Sequence, residues 1–205
     1  MIKRFLLVSF CVLAAACAKT PEQKAEALIK DAIQKNLVLP ESYQAVETQL
    51  DSAFTPYHDP EFVAVVLDIC KKGVEIDELD RKMKSSKSSM SIWSGPYMSS
   101  FSKEQYKQAK EEYEAAKSKY DALVDRVQKM AEGLREKIEK EPEFIGYRAH
   151  HRYRANNNAG NTLLSGEYFL FDKEITQVIA QWDEDEIEIY NEFLKQASEA
   201  AEMAQ

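Results

Sequence analysis

About five unbroken heptads between Lys103 and Lys140 constrain this chain more than any other feature. Tyr106, Tyr113, Tyr120, Val127 and Leu134 recur at one seam position, and Ala109, Ala116, Leu123 and Met130 at the other. A helix of that span is roughly 57 Å long, and its apolar stripe is too narrow to be buried without a partner. A partner stripe lies next door. From Pro60 to about Ser85, Phe62, Ile69, Ile76 and Met83 repeat every seven residues, with Val65, Val66, Val74 and Leu79 widening that face. A Ser-rich stretch from Ser85 to Ser102 contains Gly95-Pro96 and breaks the pattern, leaving Ile92, Trp93 and Tyr97 in the connection. The spacing predicts an antiparallel helical hairpin, with small alanines bringing the backbones close and tyrosine rings filling the space beside them. A dimeric coiled coil is the rival arrangement; the adjacent stripe favours the hairpin.

The flanks read differently. Over Lys19–Lys35, Thr20 suits an N-cap, Pro21 the first helical position, and Ala25, Leu28, Ile29, Ala32 and Ile33 form an apolar stripe. Ser42–Phe54 alternates partially, with Val46, Thr48, Leu50, Ser52 and Phe54 on one side, and predicts a strand. After Pro142, residues 143–156 alternate clearly. Ile145, Tyr147, Ala149, His151 and Tyr153 share one face; Arg148, His150, Arg152 and Arg154 share the other. An Asn/Gly turn over 156–161 leads to strands expected at Thr162–Asp172 and Ile175–Trp182, completing an antiparallel meander. Asp183 and Glu186 suit a capping box for a last helix whose apolar side is Ile187, Tyr190, Leu194, Ala197 and Ala201.

The first residues form a leader in three parts. Lys3 and Arg4 precede an apolar run from Phe5 to Leu13, and Ala14-Ala15-Ala16 precede Cys17. That run is far below the ~20 residues that span a bilayer. The site resembles the lipobox of bacterial lipoproteins, although Ala14 stands three places before the cysteine and Leu13 falls one place early. The resemblance implies a signal peptide over 1–16, removal of Cys11 with it, and an acylated Cys17. Cleavage after Ala18, giving a soluble exported protein, is the alternative. Acylation would leave Cys70 as the one free thiol, with no intramolecular disulfide. The chain carries 35 acidic and 27 basic residues, a net charge of −8. An acidic chain argues against general nucleic-acid binding, which runs on cationic surface.

Leu39-Pro40-Glu41-Ser42-Tyr43 leading into a strand, the run from Tyr147 to Asn156, and Glu167-Tyr168-Phe169-Leu170-Phe171-Asp172 resemble the small cystatin-like (NTF2-like) lipoproteins of Bacteroidetes. The likeness covers roughly 19–58 and 142–182. It implies an α+β fold with a helix packed on a curved antiparallel sheet, and it carries over no catalytic residue. The expected organisation is a signal peptide over 1–16, a core over 17–58 and 142–205 that includes the C-terminal helix, and a coiled-coil hairpin inserted over 59–141. The expected place is the cell envelope, lipid-anchored, with the outer membrane favoured.

Candidate chemistry is sparse. The row Arg148, His150, Arg152 and Arg154 suits an anionic glycan, a headgroup or an acidic protein of the envelope. Its plainer use is cross-strand pairing with Glu47, Glu167 or Asp172. Trp93 and Tyr97 are candidates for partner contact, because aromatics at a hairpin end have little core to join; the alternative is that they staple that end. His150 and His151 are adjacent, so they face opposite ways on a strand and cannot share one metal. With His58 they are the only histidines, and the His-Glu-x-x-His pattern is absent. Cys70 lies on the apolar side of a heptad helix, where a thiol behaves as a small hydrophobe. Six glycines form no phosphate loop. No cofactor, metal or catalytic residue is expected, and the oligomeric state is open. The function expected is a membrane-anchored binding or scaffolding module. A ligand carrier or enzyme using the concave sheet face, and a structural spacer, are the other two readings.

Overall fold

The structure is a computed structural model that describes residues 19–203. The expected leader and Cys17 lie outside the described residues. Within them the chain is α+β, with four α-helices and one open four-stranded antiparallel sheet. The elements run α1 (Pro21–Asn36), a 3-10 turn (Pro40–Ser42), β1 (Gln44–Phe54), α2 (Pro60–Trp93), α3 (Ser100–Ile138), β2 (Phe144–Asn156), β3 (Thr162–Phe171), β4 (Val178–Asp183) and α4 (Glu184–Met203). The described chain divides into two compact units, residues 19–58 with 142–188 and residues 59–141 with 189–203; α4 contributes to both.

In the sheet unit the strands lie in sequence order, β1-β2-β3-β4. A capping box starts α1. Thr20 Oγ1 accepts from the Gln23 amide at 3.3 Å, and Gln23 Oε1 accepts from the Thr20 amide at 3.1 Å. The stripe Ala25, Ile29 and Ile33 is fully buried and joins one core with Ala149, Tyr153 and Ala155 of β2, Phe169 and Phe171 of β3, and Ile175. Leu28, Ala32, Leu50 and Tyr147 pack around it.

The expected face of β1 is corrected in two places. Thr48 is half-buried and Leu50 packs on the core, but Val46 and Phe54 are exposed and Ala53 is the buried residue near the strand end. A register shift between Ala45 and Glu47 leaves Val46 unpaired on β1 and accounts for its exposure. The second, between Ala53 and Phe54, leaves Ile145 of β2 unpaired and adds no residue to β1. Gly146 pairs with Ala53 beside the second shift at φ 147°, and a Cβ there would stand 2.0 Å from the Phe171 carbonyl oxygen.

The last strand also differs. It begins at Val178, not Ile175, which sits in the preceding turn at φ 53°. Asp172 builds that turn, its carboxylate accepting from the Thr176 amide at 2.6 Å, the Gln177 amide at 3.1 Å and the Thr176 hydroxyl. Burial of the Ile175 side chain offsets the cost of a β-branched residue with positive φ. In α4, Ile187 and Tyr190 are buried and Leu194 is half-buried, whereas Ala197, expected on the apolar side, is exposed.

In the helical unit, α2 and α3 pack along one another. Glu61 meets Lys137 at 2.7 Å, Asp68 meets Arg126 at 3.9 Å, and the Trp93 ring meets Phe101 at 5.6 Å. Numbering rises on one helix as it falls on the other, so the pair is antiparallel. Ala109, Ala116 and Leu134 are buried, with Tyr106, Tyr113 and Tyr120 half-buried beside them. Val74, expected to widen the face of α2, is exposed.

The expected break from Ser85 to Ser102 contracts to residues 94–99, and Trp93 is the last residue of a helix, not part of a loop. Serine disfavours a helix interior by only a few tenths of a kcal/mol per residue, which a packed neighbour outweighs. Gly95-Pro96 ends the helix. Asp59 and Ser99 cap the two starts, accepting from the amides of Glu61 at 2.8 Å and Ser102 at 3.1 Å.

Replacing Gly146 with alanine is expected to destabilise the sheet unit by about 2–3 kcal/mol, because backbone must move to clear the Cβ. Gly160→Ala, at φ 80° but facing open space, is expected to cost only about 1 kcal/mol. Urea unfolding followed through Trp182 checks the contrast; equal costs at the two sites would refute the clash.

Candidate functional site

Three places hold the sequence candidates: the two faces of β2 and the free end of the helical pair. The alternation of β2 places Arg148, His150, Arg152 and Arg154 on one face, and buries Ala149, His151, Tyr153 and Ala155 on the other.

Much of the basic row is already paired. Arg148 lies 3.8 Å from Asp51 on β1. His150 stacks on Tyr168 at 4.4 Å between ring centres, and its Nε2 stands 3.0 Å from Glu184 Oε1. Gly166 leaves room for that carboxylate, since a Cβ there would come within 2.3 Å of Glu184 Oε2. Arg152 is opposite Glu47 in register, but Glu47 accepts from the Gln49 amide at 2.7 Å, and the buried Arg152 Nε has no hydrogen-bond partner among the described residues. Arg154 is exposed and makes no ion pair among the described residues.

Two of the carboxylates expected to neutralise the row are used elsewhere. Asp172 serves its own turn. Glu167 pairs in register with His151, and accepts from the Tyr153 hydroxyl at 2.7 Å and from the Gln181 amide. Strand alternation cannot fix the offset between neighbouring strands, so these two pairings were not legible. Asp51 and Glu184, the actual partners, come from an offset and a helix start.

The core face carries a buried polar cluster. His151 is 1% exposed, with Nε2 2.9 Å from the Tyr43 hydroxyl and Nδ1 2.9 Å from Thr48 Oγ1. Its ring lies parallel to Tyr153 at 5.9 Å and stacks at 6.0 Å from Tyr43. Burial holds its pKa below the ordinary histidine value, and the neighbouring His150 adds to the effect. Burial likewise raises the Tyr153 phenol, with Glu167 reinforcing it, so both groups stay neutral near pH 7. Leu28, Ile29 and Ile33 occupy the space above the sheet. The cluster is saturated, so its evident work is to hold β1 against β2.

At the free end of the helical pair, the Trp93 and Phe101 rings meet edge to face at 87°. Both sequence alternatives for this end are present at once: Trp93 staples the helices, while Tyr97 is 97% exposed with Ile92 at 73% and Phe101 at 63%. Phe101 was missed as a contact candidate, although its place just after the Ser99 cap was a usable signal. Beside the seam, an open groove of about 580 Å³ is lined by Glu75 and Glu78 on one side of the charge balance and Lys82, Lys119 and Arg126 on the other. Cys70 is half-buried, and burial pushes its thiol up, away from the ionised form a nucleophile needs.

Among the described residues no three His, Cys, Asp or Glu side chains gather as metal ligands, and no helix is long and apolar enough to cross a membrane. No family model, no curated protein and no solved structure matches this chain.

His151 makes stability depend on pH in a definite direction. A histidine with a depressed folded pKa is protonated first in the unfolded chain, so stability is full above the unfolded value of about 6.5 and falls below it. His58, also lowered chiefly by burial and then by Arg148, acts the same way. Melting temperature is expected to drop between pH 7.5 and 5.5, with a shallower slope in His151→Gln. An unchanged slope in that variant would count against the cluster as the source.

Proposed function

We propose that this chain is a non-catalytic binding or scaffolding lipoprotein of the bacterial cell envelope, tethered through acyl chains on Cys17 and meeting its partner at the free end of α2 and α3. The sheet unit is read as cystatin-like: one helix across an antiparallel meander, with a coiled-coil pair inserted between the first two strands. The strand order β1-β2-β3-β4, with residues 59–141 falling between β1 and β2, supports that reading. Two or more acyl chains suffice for stable anchoring without a spanning helix.

One observation carries the contact assignment. Ile92, Tyr97 and Phe101 stay exposed where the antiparallel seam ends, while the stripe of α1 and the inner face of the sheet are spent on each other. Grouped apolar surface of this kind marks an interaction site. Carriage or catalysis on the concave face is the weaker reading, because side chains fill that face and both His151 nitrogens have partners. Arg152 and Arg154 remain available as a secondary contact on the outer face.

A photo-crosslinking residue at Tyr97, in cells making the full chain, is expected to give adducts that the same residue at Val38, exposed in the sheet unit, does not. Adducts at Val38 with none at Tyr97 would overturn the assignment. No adduct at either site would favour a passive spacer. For the tether, Cys17→Ser is expected to release the protein from the membrane fraction; unchanged fractionation would contradict it.

A further inference from the structure

The chemistry of the free end identifies what it touches. The chain is acidic as a whole, yet no Asp or Glu occurs from Arg81 through Lys103, a span that carries Arg81, Lys82, Lys84, Lys87 and Lys103. Lys84 is held by Asp80 at 2.6 Å, whereas Lys87 and Lys103 make no ion pair among the described residues. At 1.5 Å per residue, Lys87 stands about 9 Å behind Trp93 on α2, and Lys103 about 3 Å behind Phe101 on α3. Free cations therefore sit on both helices a short way behind the apolar end.

The end itself carries Ile92, Trp93, Tyr97 and Phe101, with Tyr97 almost wholly in water. Trp and Tyr couple an apolar ring to a polar handle, the combination that settles at the boundary between headgroups and acyl chains. The connection adds serines, not charges. Ser94 donates to the Ser91 carbonyl at 3.0 Å, and Ser99 caps α3. Small hydroxyls satisfied by local backbone enter an interface at lower cost than ionised groups would.

We propose that the free end of the α2–α3 pair is an interfacial wedge for an anionic phospholipid bilayer. Ile92, Tyr97 and Phe101 enter the headgroup region with the half-buried Trp93 packed on Phe101 at its edge, and Lys87 and Lys103 meet lipid phosphates. This rests on the reading of that end as the contact surface and names the partner. Charge decides for lipid. An acidic chain is repelled by an anionic surface unless the charges within about 8–10 Å of the contact are positive. Within that distance Lys87 and Lys103 outnumber the one carboxylate, Glu104 next to Lys103 on α3, and so provide a net local reversal at this end.

The two tryptophans, Trp93 and Trp182, make a direct test possible. In the full chain carrying Trp182→Phe, Trp93 emission is expected to shift to shorter wavelength on vesicles of phosphatidylethanolamine and phosphatidylglycerol, and to be quenched by brominated lipid. Pure phosphatidylcholine should do neither. Lys87→Gln with Lys103→Gln should weaken the response to anionic vesicles by about thirtyfold. Trp93→Phe in the otherwise native chain is the second variant, and should abolish the shift while leaving Trp182 emission unchanged. A chain that co-floats with vesicles while Trp93 is neither shifted nor quenched overturns the wedge, as does an equal response on neutral vesicles. If the wedge fails while Tyr97 still crosslinks to a protein in cells, the contact surface stands and only its lipid partner is lost.

Discussion

The mutual burial of two heptad faces is the interaction on which the helical unit depends. Neither α2 nor α3 has a stripe broad enough to fold by itself, and long polar helices are marginal in water without tertiary partners. Exposed charge pairs add little. Lys117–Asp121, Lys107–Glu111 and Lys110–Glu114 are i,i+4 pairs open to solvent, where screening leaves them little to contribute. Alanines at 109 and 116 set the closeness of approach, and the half-buried tyrosines fill the flanks. Pairing consumes most of both stripes; apart from Val74 and Ile138, which stay exposed, the apolar surface left to the pair gathers where the chain turns back.

The sheet unit solves a different problem. It places a polar ring at the centre of its core and satisfies it from the first strand and the turn before it. Tyr43 and Thr48 bracket His151, and Tyr153 carries the network on to Glu167. An unpartnered buried imidazole would be costly, so the bonds are specific to one register of β1 against β2. Directional bonds at that position penalise a one-residue slip more sharply than aliphatic packing would. The outer face has no such closure. It keeps two guanidiniums without carboxylate partners among the described residues, and its one tight arrangement, His150 with Glu184, ties β2 to the start of α4.

The sequence made the elements legible where periodicity was long. The seven-residue repeats located α2 and α3, the alternation after Pro142 sorted the two faces of β2, and Thr20-Pro21 marked the start of α1. What it hid was set by geometry beyond pattern. One register shift left Val46 of β1 unpaired and another left Ile145 of β2 unpaired, and nothing in the residue types there announces a bulge. Ile175 looked like a strand residue because a buried turn position is as apolar as a strand position. The serines of 85–91 looked like a break because local preference was weighed without the packed partner that overrides it. Of the candidate contacts, Trp93 and Tyr97 were visible as aromatics in a connection. Their division into a staple and an exposed ring, and the role of Phe101 beside them, needed the antiparallel pairing.

Both proposals share one structural premise: α2 and α3 of the same chain are each other's partners, so the turn between them is a free end. Spin labels at positions 75 and 119, both beside the open groove, measure that premise in a chain whose own cysteines are replaced. The expected result is one short distance that persists unchanged when the labelled protein is diluted into an excess of unlabelled chain. A dipolar signal that disappears on such dilution would place the partner helix in a second copy and contradict the account.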